Sequence, residues 1–382
     1  MYNKIRKTSF FAISMLGLFF ASLLVSCHPA NGRKKEKVDE SYFYVGTYTG
    51  NGSNGIYLYK QRGDSLIRVG LAAKTVNPSF LARSDDGRFL LAVNETHDQG
   101  SGSVESYAIR NHRLKFLNRR PSHGDDPCFV SANAQGYVLV SNYNGGNVGL
   151  FKLNNDGYLS KLLDMHQDTG TGMTARQQHP HAHQSVFEPG TDRVVTVDLG
   201  ADALFFFKLD TLQKKLVATF PFALKMSPGD GPRHLAFHPN KKWLYVVSEL
   251  SSTVTQWIKN ADGSYAKGEV VSTLPRNYHK TSYCAEISIS PDGRFLYVSN
   301  RGHNSIVVFQ INRQTGALNR IAFQNVHGNW PRFFTFSPDG NYLVVANKKT
   351  NNLVLFKRNK QTGQLFYVSE ISAPNPVCIL FL

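Results

Sequence analysis

Ser290-Pro291-Asp292-Gly293-Arg294 runs directly into Phe295-Leu296-Tyr297-Val298-Ser299-Asn300. The first five residues have tight-turn chemistry: Pro fixes its own φ, Asp bonds its local backbone and Gly tolerates positive φ. The next six are rich in aromatic and β-branched types and read as a short alternating strand. The pair recurs as Ser337-Pro338-Asp339-Gly340-Asn341 with YLVVAN, and as Ser84-Asp85-Asp86-Gly87-Arg88 with FLLAVN. Weaker copies are AQGYVLVSN from Ala134, EPGTDRVVTVD from Glu188 and HPNKKWLYVVSE from His238. SYFYVGT from Ser41 supplies a strand without its turn. Taking Gly46, Asn94, Asn142, Asp198, Glu249, Asn300 and Asn347 as the closing residues gives intervals of 48, 48, 56, 51, 51 and 47.

Seven units of about 50 residues, built of short strands and polar turns, predict an all-β, seven-bladed β-propeller. A second strand precedes each turn, as in PSFLAR from Pro78, PRHLAF from Pro232 and PRFFTF from Pro331. Its seventh copy, PVCILFL from Pro376, is the C-terminus itself. Pairing this inner strand with SYFYVGT would close the ring in one blade and remove two exposed sheet edges. The expected division is an export segment over 1–26, a polar tether over 27–40 and one propeller over 41–382. The export segment has a basic start and an apolar run from Phe10 to Val25, ending in Leu24-Val25-Ser26-Cys27. That pattern is similar to a lipoprotein signal, with Cys27 as the lipidated residue and a cell-envelope location as the expectation.

Composition narrows the chemistry. Hydrophobic residues make up 41% and charged residues 18%, which excludes disorder over most of the chain. The net charge is +16, but the basic residues are scattered through turns, so no nucleic-acid face is expected. Four cysteines without a Cys-x-x-Cys pair exclude a cysteine zinc site, and Cys128, Cys284 and Cys378 read as buried free thiols on separate blades. GDGPRH from Gly229 leads into a strand, so it lacks the helix N-terminus of a phosphate loop. No cofactor is expected. A closed ring needs no partner for its edges, so a monomer is expected.

The repeat also places the chemistry. Inner strands begin at the end of the ring where second strands finish, so both sets of residues surround one mouth. Starting the inner strands are Ser79, Cys128, His183, Arg233, Ala285 and Arg332; just past the second strands lie Glu95, Leu199, Glu249, Arg301 and Lys348, with Asn142 and Tyr143 in the shorter second unit. His183, Arg233, Glu249 and Arg301 fall in three consecutive units. Arginines can hold an anion or stabilise an oxyanion, and a histidine beside them can move protons. His179, His181 and His183 alternate and are expected on one strand face; Pro180 and the missing complement of ligands favour proton transfer or substrate orientation there over a metal.

QHPHAHQ from Gln178, DLGAD from Asp198, GPRHLAFHP from Gly231, YVVSELSSTV from Tyr245, AEISISPDGRFLYVSNRGHNSI from Ala285 and WPRFFTFSPDGNYLVVAN from Trp330 resemble the seven-bladed propeller lactonases. That family includes bacterial 6-phosphogluconolactonases and the fungal carboxy-cis,cis-muconate cyclase. The resemblance implies catalytic roles for His183, Arg233, Glu249 and Arg301. It implies a substrate-binding shell of His181, His234, Glu286 and Arg332, and a small anionic lactone as partner. It leaves open whether His183 or Glu249 activates water. A cycloisomerase and a non-catalytic carbohydrate- or protein-binding propeller remain as other readings.

Overall fold

The computed structural model describes residues 40–97 and 101–382. The export segment, most of the tether and Cys27 lie outside the described residues. Seven sheets of four antiparallel strands form the ring. Blade 1 spans Leu81–Pro121, blade 2 Pro127–Gln167, blade 3 Ala182–Lys225, blade 4 Pro232–Ser272, blade 5 Tyr283–Asn325 and blade 6 Pro331–Ser372. Blade 7 joins the chain ends: the inner strand Pro376–Phe381 pairs with Glu40–Thr47 through Phe43 opposite Phe381 and Val45 opposite Ile379. Gly46 sits at this seam because a Cβ there would lie 2.4 Å from the Pro78 carbonyl oxygen.

The quoted turn works as its chemistry predicts. Ser290 Oγ donates to Asp292 Oδ1 at 2.6 Å, Asp292 Oδ1 accepts from the Arg294 N–H at 3.1 Å, and Phe295 N–H donates back to Ser290 Oγ at 3.0 Å. Gly293 takes φ 68°, a left-handed value that costs glycine little. Ser84–Asp86 and Ser337–Asp339 repeat the same bond.

Two expectations need correction. The second strands FLLAVN, YVLVSN and WLYVVS do not alternate between core and solvent but are buried throughout. Each is sandwiched between two neighbouring blades, so both faces meet apolar side chains; Trp243, Tyr245 and Val247 of blade 4 pack with Leu296 and Val298 of blade 5. The closing residues in two units are also shifted by one. Pro127 pairs with Asn142 and Pro331 with Asn347; by the same register Pro376 pairs with Thr47 and Pro232 with Ser248. Thr47 and Ser248, not Gly46 and Glu249, therefore close their strands.

The closing asparagines stitch the ring. Asn94, Asn142, Asn300 and Asn347 each donate their side-chain amide to a backbone carbonyl beyond the outer strand of the preceding blade: Val76, Ser122, Thr273 and Val326. Tyrosines on second strands tie forward in the same way, Tyr245 to the Gly316 carbonyl and Tyr297 to the Gly363 carbonyl, both at 2.6 Å. These bonds satisfy buried groups between sheets that share no ladder.

Candidate active site

A repeated register slip builds the site. In the inner strands, pairing jumps from Pro127 to Phe129, Ala182 to Gln184, Pro232 to His234, Cys284 to Ile287 and Pro331 to Phe333. The skipped residues are Cys128, His183, Arg233, Ala285 with Glu286, and Arg332. A bulge leaves its extra residue unpaired and re-aims its side chain. Here it lets two successive residues serve the central channel. The outer of the two layers carries His183, Arg233 and Arg332. The inner layer carries Phe80, Phe129, Phe333 and the His234–Glu286 pair, with Phe80 4.2 Å from Phe129 and Phe129 5.4 Å from His234 between ring centroids. Phe80 also meets Phe333 at 5.7 Å, so the inner layer is one packed cluster of rings.

Arg233, Glu249 and Arg301 come together directly. Glu249 Oε2 lies 3.2 Å from Arg233 Nε and 2.6 Å from Arg301 Nη2, while Oε1 accepts from Arg176 Nη1 at 2.6 Å. Each inner guanidinium also donates to a backbone carbonyl: Arg233 to Ala285 at 2.7 Å and Arg301 to Cys284 at 2.6 Å. Burial works against ionising Glu249, but Arg301, Arg233 and Arg176 outweigh it and hold the carboxyl at about 2. Burial, with Arg301 and Arg332 nearby, pulls Arg233 down to about 10 against the pull of Glu249 and Glu286. Positive charge therefore exceeds negative charge in this sector, which suits an arriving anion.

His183 is 4% exposed and touches none of these carboxylates. Its Nδ1 lies 3.8 Å from Cys128 Sγ, and its ring is 5.0 Å from His234 and 5.5 Å from Tyr143. Burial, Arg233, His234 and Arg332 push its pKa well below the ordinary imidazole range, so it is neutral at pH 7. His234 is driven to about 4 by burial, against the pull of Glu286, whose carboxylate lies 3.1 Å from its Nδ1. The His234 ring packs edge-on against Phe80 and Phe129.

The remaining shell residues separate. Strand pairing in blade 3 begins at Ala182, so His179 and His181 precede the strand and shared strand periodicity does not align them with His183. His181 stacks on Tyr143 at 4.4 Å, and its Nδ1 meets the Tyr143 carbonyl at 3.1 Å. His179 is exposed. Among the described residues no group of three or more His, Cys, Asp or Glu side chains is arranged to hold a metal ion. Arg332 lies on another wall, donating to Tyr48 Oη at 2.8 Å and standing 4.0 Å from Glu95, which also accepts from Tyr48 at 2.7 Å. Cys128, Cys284 and Cys378 are buried free thiols.

Two site residues escape the repeat alignment. Tyr48 follows Thr47 and so occupies the same register as Glu95, Tyr143, Glu249, Arg301 and Lys348; the one-residue shift at Gly46 hid it. Arg176 lies between blades 2 and 3, outside any strand. The only sequence signal for it is the long 56-residue interval from Asn142 to Asp198.

Residues 42–381 match the family described as lactonase, 7-bladed beta-propeller. The chain belongs to that lactonase family. A 6-phosphogluconolactonase of Bacillus subtilis is 40% identical over 346 residues, 89% of this chain and 97% of its own length. A 6-phosphogluconolactonase of Formosa agariphila is 33% identical over 304 residues, covering 76% and 85%. The crystal structure of a periplasmic gluconolactonase of Pseudomonas aeruginosa superposes with a TM-score of 0.85 at 29% identity, over 90% of this chain and 99% of that one. Within a lactonase, the buried guanidiniums and the neutral imidazole have a ready chemical sense: oxyanion stabilisation and proton transfer.

Proposed function

We propose that this lactonase hydrolyses a sugar lactone, with 6-phosphogluconolactone giving 6-phosphogluconate as the leading substrate. The observation that carries the reading is Glu249 holding Arg233 and Arg301 beside a buried, neutral His183. Both oxygens of Glu249 are engaged by guanidiniums, whereas among the described residues the His183 ring forms no ion pair. Glu249 therefore orders the arginines, and His183 takes the role of base. Water attacks the lactone carbonyl carbon while His183 accepts its proton. Arg301 and Arg233 face the carbonyl oxygen as it becomes an oxyanion. The ring C–O bond then breaks, the imidazolium returns the proton to the ring oxygen, and the hydroxy acid ionises. His181, His234, Glu286 and Arg332 shape the surroundings of the bound ring. The leader and Cys27 support export and lipid anchoring, so the physiological substrate would be a lactone present outside the cytoplasm.

The test is hydrolysis of 6-phosphogluconolactone and of gluconolactone by the purified protein, with spontaneous opening subtracted. Loss of enzymatic turnover in both Arg301→Ala and His183→Ala supports the scheme. Full turnover in both variants refutes it. Ring formation without net hydrolysis would assign a cycloisomerase.

A further inference from the structure

The four central residues lie behind a side chain that the repeat does not supply. His183, Arg233 and Glu249 are 4%, 3% and 3% exposed, and Arg301 is 4% exposed. The side chain of Arg176 is 43% exposed and caps Glu249 from the solvent side. It is the outermost of the three guanidiniums on that carboxylate. We infer that Arg176 is the specificity residue that binds the phosphate of a phosphorylated lactone, a step beyond the lactonase reading on which it rests.

The geometry separates Arg176 from its two partners. Arg233 and Arg301 each spend an N–H on a backbone carbonyl, which fixes them to the inner strand of blade 5. Among the described residues Arg176 donates to Glu249 Oε1 at 2.6 Å and to Tyr143 Oη at 3.0 Å, and its guanidinium lies 5.6 Å over the Tyr283 ring. Unlike Arg233 and Arg301, its guanidinium is held by side chains and by no backbone carbonyl. The neighbouring Gln177 is fully buried, donating from Nε2 to the Leu199 carbonyl at 2.9 Å and accepting from the Thr174 N–H at 3.2 Å. The chain beneath Arg176 is therefore fixed, and the half-exposed guanidinium changes partners only by releasing Glu249 and Tyr143.

An incoming phosphate offers Arg176 an undivided anion in place of a carboxylate that two other arginines share. The exchange gives up one charge-assisted bond to Glu249 and one bond to Tyr143 for a bidentate contact with the phosphate, which the planar fork of arginine suits. Glu249 keeps Arg233 and Arg301 on Oε2, and the oxyanion donors stay in place. A neutral lactone brings no competing anion. Arg176 then stays on Glu249 and Tyr143. The same side chain thus favours the phosphorylated substrate over the neutral one.

The test uses the full chain with Arg176→Ala and Arg176→Lys. The first readout is the ratio of kcat/KM for 6-phosphogluconolactone to that for gluconolactone. The inference expects a wild-type preference for the phosphorylated lactone that falls at least about tenfold in Arg176→Ala, carried mainly by KM. Arg176→Lys, a point charge without the fork, should fall between. It also serves if the alanine variant does not fold. The second readout is binding of 6-phosphogluconate and of gluconate, followed by tryptophan fluorescence; Trp330 lies 5.5 Å from the Arg301 guanidinium. A phosphate preference in binding that depends on Arg176, in a protein inert toward both lactones, would sink the lactonase reading while leaving Arg176 as the phosphate-binding residue. A wild type without phosphate preference, or a ratio that stays within twofold in both variants, overturns the role of Arg176.

Discussion

Arg301 Nη2 lies 2.6 Å from Glu249 Oε2; Glu249 follows the second strand of blade 4, and Arg301 ends the second strand of blade 5. Neither strand could hold the pair alone. The contact exists because the ring brings the same register position of blades 4 and 5 to one wall of the mouth, where Arg233 from the inner strand of blade 4 joins them.

Removing the carboxylate should therefore do two things at once. Glu249→Gln leaves buried guanidiniums without their counter-charge, and breaking a buried pair costs about 3–5 kcal/mol. Thermal unfolding should show that loss. Turnover should fall by at least about 100-fold, since the oxyanion donors lose their orientation. A variant with wild-type melting and wild-type kcat would show that the clamp is dispensable.

Acid stability carries the sign of the same carboxyl. Its folded pKa of about 2 lies below the usual 4.5, so its contribution is present above about 4.5 and is lost as pH falls toward 2. Unfolding midpoints from pH 6 down to pH 2 should fall more steeply in the wild type than in Glu249→Gln. Parallel curves would contradict the assignment.

Blade 3 breaks the asparagine stitch and predicts the opposite slope. Its closing residue is Asp198, which accepts from the backbone N–H groups of His181 and Ala201 at 2.9 and 2.7 Å and faces Asp168 beyond blade 2. Burial, then Asp198, raises the Asp168 pKa well above the carboxylate range, so the buried pair retains a proton. A raised folded pKa means stability present below about 3.8 and lost as pH rises through the folded value. Asp168→Asn supplies a permanent donor at that place. Its melting temperature should exceed the wild type's by a margin that widens from pH 4 to pH 8; a constant margin would refute the shared proton.

His183 gives a kinetic counterpart. With its pKa well below 6.5, kcat/KM should be level from about pH 6.5 to 8 and decline only at distinctly lower pH. His183→Gln should abolish turnover while 6-phosphogluconate still binds, as read by fluorescence. A rate that halves near pH 6.5 would place the base elsewhere.

The stitches themselves are testable away from the mouth. Asn347→Ala removes the 3.0 Å bond to the Val326 carbonyl and leaves a buried acceptor unpaired. The expected cost is about 1–3 kcal/mol in denaturant unfolding, and kcat should change less than about threefold. A large loss of kcat at unchanged stability would instead tie this seam to catalysis.

The ring is written in short-range chemistry. Turn chemistry at Ser290–Arg294 and its copies is local, and a seven-fold recurrence of local structure forces a propeller closed by Pro376–Phe381 against Glu40–Thr47. It also brought His183, Arg233, Glu249 and Arg301 to one sector, because repeat positions converge at the mouth of a ring. How those side chains meet depends on packing between residues far apart in the chain. The register slips that aim Arg233 and His234 into the channel arise from pairing between strands, and a one-residue error at Gly46 was enough to hide Tyr48. Arg176 has no repeat to announce it. Its place over Glu249 depends on how a non-repeating segment packs between Gln177 and Tyr143, and neither composition nor period records that.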